Sequence, residues 1–126
     1  MASRVVFHRA LSNESVCRML PDFDIFAVSN DYWGIPKTLL EAFLSALPVV
    51  VNRQAKTVIP ELEDNICLQT VNTPQGYRDA IRELINDRSL RQSLGDAGYA
   101  YAGQSWAVDK VADKVRDIYS RLAVFN

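Results

Sequence analysis

Residues 29–51, SNDYWGIPKTLLEAFLSALPVVV, constrain the fold more than any other stretch of the chain. A short apolar run at 25–28, IFAV, ends in the small polar pair Ser29-Asn30. A loop with Gly34 and Pro36 follows, then a helical pattern, then Val49-Val50-Val51. Apolar run, polar turn, helical repeat and β-branched run read as strand, loop, helix and strand. Two strands joined by a helical crossover lie parallel in one sheet. In such sheets ligands bind outside the carboxyl ends of the strands, where helix N-termini offer N–H groups to anions. The loop of residues 29–36 is therefore the expected site.

The helix after this loop is expected to start near Pro36, because proline suits a first helical turn. Leu39, Leu40, Phe43 and Leu44 form its apolar stripe. Lys37 and Glu41 share another face, four residues apart, where an exposed ion pair contributes a few tenths of a kcal/mol. Before the loop, residues 5–7 (VVF) read as a strand, and Ser12 or Asn13 caps a short helix with Glu14 in its first turn and Pro21 at its end. Val16, Met19 and Leu20 give that helix its apolar face. His8, just after the expected strand, is read as structural.

After Val51, residues 52–57 form a polar connection in which Arg53 and Lys56 are read as solvated. Asn65 is expected to take a left-handed turn conformation, and residues 66–68 the last strand. Thr73-Pro74 caps a helix with Tyr77, Ile81, Leu84 and Ile85 on its buried side. A further helix from Leu90 is interrupted by Gly95 and Gly98. The last helix, with Ser105 as its expected cap, carries Val108, Val111, Ala112, Val115, Ile118, Tyr119 and Leu122 on one face. That face either packs on its own domain or is presented to a partner.

A chain of 126 residues is the size of one domain, and a formal net charge of −1 with scattered Lys and Arg gives no basic stripe for nucleic acid. No apolar run approaches the roughly 20 residues a membrane span needs. The N-terminus MASRVVF lacks a signal-peptide pattern, so a cytoplasmic protein is expected. Cys17 and Cys67 stand apart from each other and from His8, which argues for reduced, buried thiols and against a metal site.

The run Gly34-Ile35-Pro36-Lys37-Thr38-Leu39-Leu40-Glu41-Ala42, followed by Leu47-Pro48-Val49-Val50, resembles the nucleotide-sugar-binding segment of family 4 glycosyltransferases of the GT-B fold. The usual form there is Ser-x-x-Glu-Gly-x-Pro-x-x-Leu-Leu-Glu-Ala, then Gly-x-Pro-Val-Val. The similarity runs in register from about residue 5 to residue 122. It implies an α/β fold, half of a GT-B enzyme: a partial Rossmann-like parallel sheet of about four strands with flanking helices and a helical C-terminal third.

By the same resemblance the second family glutamate matches Glu41 and hydrogen-bonds the ribose, whereas the first, which contacts the donor sugar, falls on Trp33. Tryptophan stacks on rings but accepts no hydroxyl proton, which leaves Asp31 as the alternative acid. Ala46 stands where the family has glycine, and the glycine pair that approaches the diphosphate is replaced around Ala55-Lys56.

The expected donor-site residues are thus Asp31, Trp33, Gly34, Ile35, Pro36, Lys37 and Glu41, with no catalytic residue assigned and no cofactor beyond a nucleotide-sugar substrate such as a UDP- or GDP-sugar. The family's diphosphate-neutralising arginine and lysine belong to segments preceding the matched region. The chain is therefore expected to be incomplete as a stand-alone transferase, with a homo-oligomer or a separate acceptor-binding domain protein as partner. A donor-binding subunit of a split transferase and a non-catalytic interaction module on the same scaffold are the alternatives.

Overall fold

The computed structural model describes residues 4–31, 34–53, 62 and 65–123. Strands β1 (Phe26–Val28), β2 (Val49–Asn52) and β3 (Leu68–Thr70) form one parallel sheet in the order β1-β2-β3. Helices α1 (Asn13–Met19), α2 (Lys37–Leu44), α3 (Pro74–Asn86), α4 (Arg88–Ser105) and α5 (Val108–Ala123) surround and extend it.

β2 is central, and all four of its residues are buried. Val49 and Val51 join Leu20, Leu39, Phe43 and Ala102 in one cluster, while Val50 joins Ala80, Leu84 and Leu94 in another. A parallel strand covered on both faces has no solvent side, which is why its sequence is continuous valine and does not alternate. α1 and α2 cover the first face and α3 the second. α4 reaches both, through Leu94 on one side and Ala97, Tyr101 and Ala102 on the other.

Several local expectations hold. Ser12 caps α1, its Oγ accepting from the Ser15 N–H at 3.2 Å, and Pro21 sits in the 3-10 turn Leu20–Asp22 that follows. Thr73 caps α3 through the Gly76 N–H at 3.1 Å. Asn65 has φ +58.

Others are corrected. Residues 5–7 form no strand, so the described sheet has three strands and not about four; Val5, Val6 and Phe7 lie 55%, 74% and 91% exposed. The helices cover β2 and β3, and even Ala27 within β1 is exposed, so a strand beyond that edge would bury too little to offset its ordering. The last strand begins at Leu68, two residues later than its apolar run suggests, because pairing starts where Val50 meets Leu68. Ile66 and Cys67 are buried in the bend before it.

Cys67 is a buried thiol, its Sγ 3.7 Å from the Leu62 carbonyl oxygen, and burial pushes its pKa up to about 11. Cys17, on the outer side of α1, is exposed and not buried as expected. Ser105 closes α4 and does not cap the next helix. Ala107 opens α5, its carbonyl accepting from the Val111 N–H at 3.0 Å. No residue of α5 is buried, and its apolar stripe faces outward.

α4 is not interrupted at its glycines. A Cβ on Gly95 would lie 2.3 Å from the Ala46 carbonyl oxygen, and one on Gly98 would lie 2.6 Å from Phe43 Cδ1. Both glycines mark close approach of α4 to α2 and the turn after it.

That turn is a Schellman motif. The Leu47 N–H donates to the Ala42 carbonyl at 3.1 Å and the Ala46 N–H to the Phe43 carbonyl at 2.9 Å, with Ala46 at φ +55. An L-residue with a Cβ is strained there. Ala46→Gly is therefore expected to stabilise the fold by about 1 kcal/mol, read as a higher urea midpoint at constant m-value.

Candidate functional site

The carboxyl ends of β1 and β2, Asn30, Gly34 and the start of α2 meet at one rim of the sheet. Gly34 has φ +108, a conformation that only glycine adopts without strain, so the turn into α2 depends on it. Ile35 packs against the larger core cluster and anchors the loop from below. Pro36 precedes the helix and is not in its first turn: it is the N-cap, with φ −67 and ψ 146, and its carbonyl accepts from the Leu39 N–H at 3.0 Å. Among the described residues the N-cap position supplies no side-chain cap to α2, because proline carries no side-chain acceptor.

Glu41 lies one turn into α2. Its Oε1 accepts a short hydrogen bond from Asn13 Nδ2 and lies 3.7 Å from Lys37 Nζ. The two partners differ sharply in setting: the Lys37 side chain is 75% exposed and that of Glu41 only 11%. The i,i+4 contact anticipated from spacing is present, but it belongs to a carboxylate set into the protein between α1 and α2. Asn13, weighed as a helix cap, serves as this carboxylate's donor, with Ser12 taking the cap.

Asp31 is exposed and accepts from Asn72 Nδ2 at 3.0 Å, and Ser29 Oγ donates to Asn72 Oδ1 at 3.1 Å. These contacts tie the loop after β1 to the segment before α3. Trp33 lies outside the described residues, as do Lys56 and Ala55; Arg53 is exposed just past β2. His8 is exposed, outside any helix or strand.

Sequence reading missed a polar cluster beneath the loop. Asn30 and Asn52 are buried, at 8% and 5% exposure. The Tyr77 hydroxyl of α3 donates to the Val28 carbonyl at 2.7 Å and sits 3.3 Å from Asn52 Oδ1. The Tyr77 pKa is raised, first by burial and further by the charge of Asp31, against hydrogen bonds involving Ser29 and Asn52 that lower it. The available signal was the polar residue ending a buried valine run: Asn52 completes β2 and does not begin the connection after it.

Among the described residues no group of three or more His, Cys, Asp or Glu side chains is placed to hold a metal, and no helix is long and apolar enough to cross a membrane.

Comparison with curated proteins gives no match. Among solved structures, the sucrose-phosphate synthase from Thermosynechococcus elongatus superposes with a TM-score of 0.83 at 16% identity, over 98% of this chain. The chain spans 31% of the length of that protein, so the likeness is to one portion of a GT-B fold. Residues 1–87 match the family described as Glycosyl transferases group 1, a match that takes in all three strands of the described sheet, Gly34 and Glu41. The three-stranded parallel sheet, the turn at its carboxyl rim and this family match together mean that the chain belongs to the group 1 glycosyltransferases.

Proposed function

We propose that this chain is a nucleotide-sugar-binding domain, with Glu41 receiving the ribose hydroxyls of the donor and the loop of residues 31–36 facing its phosphates and sugar. The observation that carries this reading is the asymmetry between Glu41 and Lys37. A surface ion pair contributes little and has no reason to sink one partner, yet the Glu41 side chain is 11% exposed against 75% for Lys37. A fixed carboxylate beside Gly34 and the start of a helix whose N-cap is proline suits a ligand that presents hydroxyls to one and anionic oxygens to the other. Lys37, exposed at the first position of α2, supplies a cation at the same end.

Titration of the purified chain with UDP, GDP and ADP by calorimetry tests the reading. Saturable binding of at least one is expected, weakened about tenfold or more in Glu41→Ala, as loss of a hydrogen bond to a charged group implies. An absence of binding at millimolar nucleotide would sink it.

Hexosyl transfer asks for more than donor binding. Departure of a nucleoside diphosphate needs compensation of developing charge and an acceptor held opposite. We assign turnover to an assembly in which a second domain or a separate acceptor-binding protein completes the cleft. A second reading, a donor-binding subunit that works in complex or as a homo-oligomer in the cytoplasm, draws support from α5, whose apolar stripe from Val108 to Leu122 is exposed throughout.

A further inference from the structure

The turn of residues 30–34 leaves the sheet from a buried amide pair to which the donor-site reading gives no task. β1 ends at Val28, opposite Val51, so main-chain pairing between the two strands stops one residue short of Asn52. Beyond that point the Asn52 side chain continues the ladder. Its Oδ1 accepts from the Asn30 N–H at 2.6 Å, and its Nδ2 donates to the Asn30 carbonyl at 3.0 Å. The amide thus reads both main-chain groups of one residue, as a neighbouring strand would, and the two contacts fix which end of it is which.

The Asn30 side chain passes the constraint on. Its Nδ2 donates to the Gly34 carbonyl at 2.9 Å, closing the turn at the residue with φ +108. From below, the Tyr77 hydroxyl ties the end of β1 to α3 through Val28 and abuts Asn52 Oδ1. An apolar side chain of similar size would fill the space at Asn52 but would remove both of these contacts to the Asn30 main chain.

We propose that Asn52 is a positioning residue for the donor loop: by gripping the Asn30 backbone it sets where Asp31 and Gly34 stand relative to Glu41. This rests on the reading of that loop as donor-facing. The grip itself is a property of the free protein and is measurable without ligand.

The test is residue-resolved amide hydrogen exchange on the ligand-free chain, followed by nucleotide calorimetry on the same samples. In Asn52→Ala, exchange at the Asn30 amide is expected to rise about tenfold or more, while amides of α4 and central β2 change by a smaller factor. Asn52→Asp keeps the acceptor and loses the donor, so the Asn30 N–H should stay protected there. Tyr77→Phe should give an intermediate rise. Nucleotide affinity should fall in the same order as loop protection.

Unchanged protection of the Asn30 amide in Asn52→Ala, or a rise shared equally by Asn30 and the core, would overturn the proposal. If the alanine variant does not fold, Tyr77→Phe makes the same comparison of Asn30 against the core amides. If the unaltered chain binds none of the nucleotides, the donor-site reading falls, and the exchange pattern still decides whether Asn52 holds the turn.

Discussion

Replacing Phe43 with alanine is expected to remove about 3–5 kcal/mol of folding stability, the largest loss of any single truncation considered for this chain. Phe43 is 0% exposed and lies where α2, β2 and α4 converge. Its ring meets that of Tyr101 edge-on, with centroids 6.4 Å apart at 84°, a geometry that adds to simple burial. Against a total of about 5–15 kcal/mol for a domain, such a loss brings the fold close to its threshold. Equilibrium urea unfolding checks the value, and a loss below about 1 kcal/mol would mean that the cavity collapses freely. The consequence reaches the site because Glu41 sits two residues earlier on the same helix. Loosening α2 against β2 shifts the carboxylate relative to the loop, so residual nucleotide binding in Phe43→Ala should fall with stability. Phe43→Leu, which keeps most of the volume, should cost about 1–2 kcal/mol and preserve binding.

What sequence reading recovered depended on whether a signal was local. The βαβ unit was legible because the valine run, the stripe through Leu39 and Phe43, and the turn at Gly34 each fix their own conformation within a few residues. Thr73-Pro74 and Asn65 were legible for the same reason. The failures are tertiary. Hydrophobicity at residues 5–7 reported strand propensity but not the want of a covering layer, and hydrophobicity at Ile66 reported burial but not pairing, which β2 decides. Gly95 and Gly98 looked like helix breakers because their reason lies on another helix.

The site divides in the same way. Gly34, Pro36, Lys37 and Glu41 lie close together in sequence, and a local motif is what marks them as candidates. The amide of Asn52 acts across twenty-two residues on Asn30, and Tyr77 acts across forty-nine on Val28, so no local pattern announces either. Glu41 also shows that two readings of one residue need not exclude each other. The ion pair with Lys37 exists, while the burial that makes the carboxylate a candidate ligand comes from α1 through Asn13.

The two glycines of α4 should respond differently to alanine, and the difference measures how rigid the contact between α4 and α2 is. At Gly95 the three nearest atoms an added Cβ would meet belong to main chain: Ala46 O at 2.3 Å, Ala46 C at 3.2 Å and Pro48 N at 3.8 Å. No rotamer relieves that overlap, so α4 must move away from the Schellman turn. Gly95→Ala is therefore expected to cost about 3 kcal/mol from overpacking even after a helix-propensity gain near 1 kcal/mol. At Gly98 the first obstacles are Phe43 Cδ1 at 2.6 Å and Cε1 at 3.2 Å, atoms of a side chain. Gly98→Ala should accordingly cost about 2 kcal/mol alone and much less beside Phe43→Leu, a coupling of about 1 kcal/mol or more in a double-mutant cycle. Gly95→Ala combined with Phe43→Leu should instead add within about 0.5 kcal/mol. Equal coupling for both glycines would mean that α4 withdraws as one body and that the ring, not the turn, sets its distance from α2.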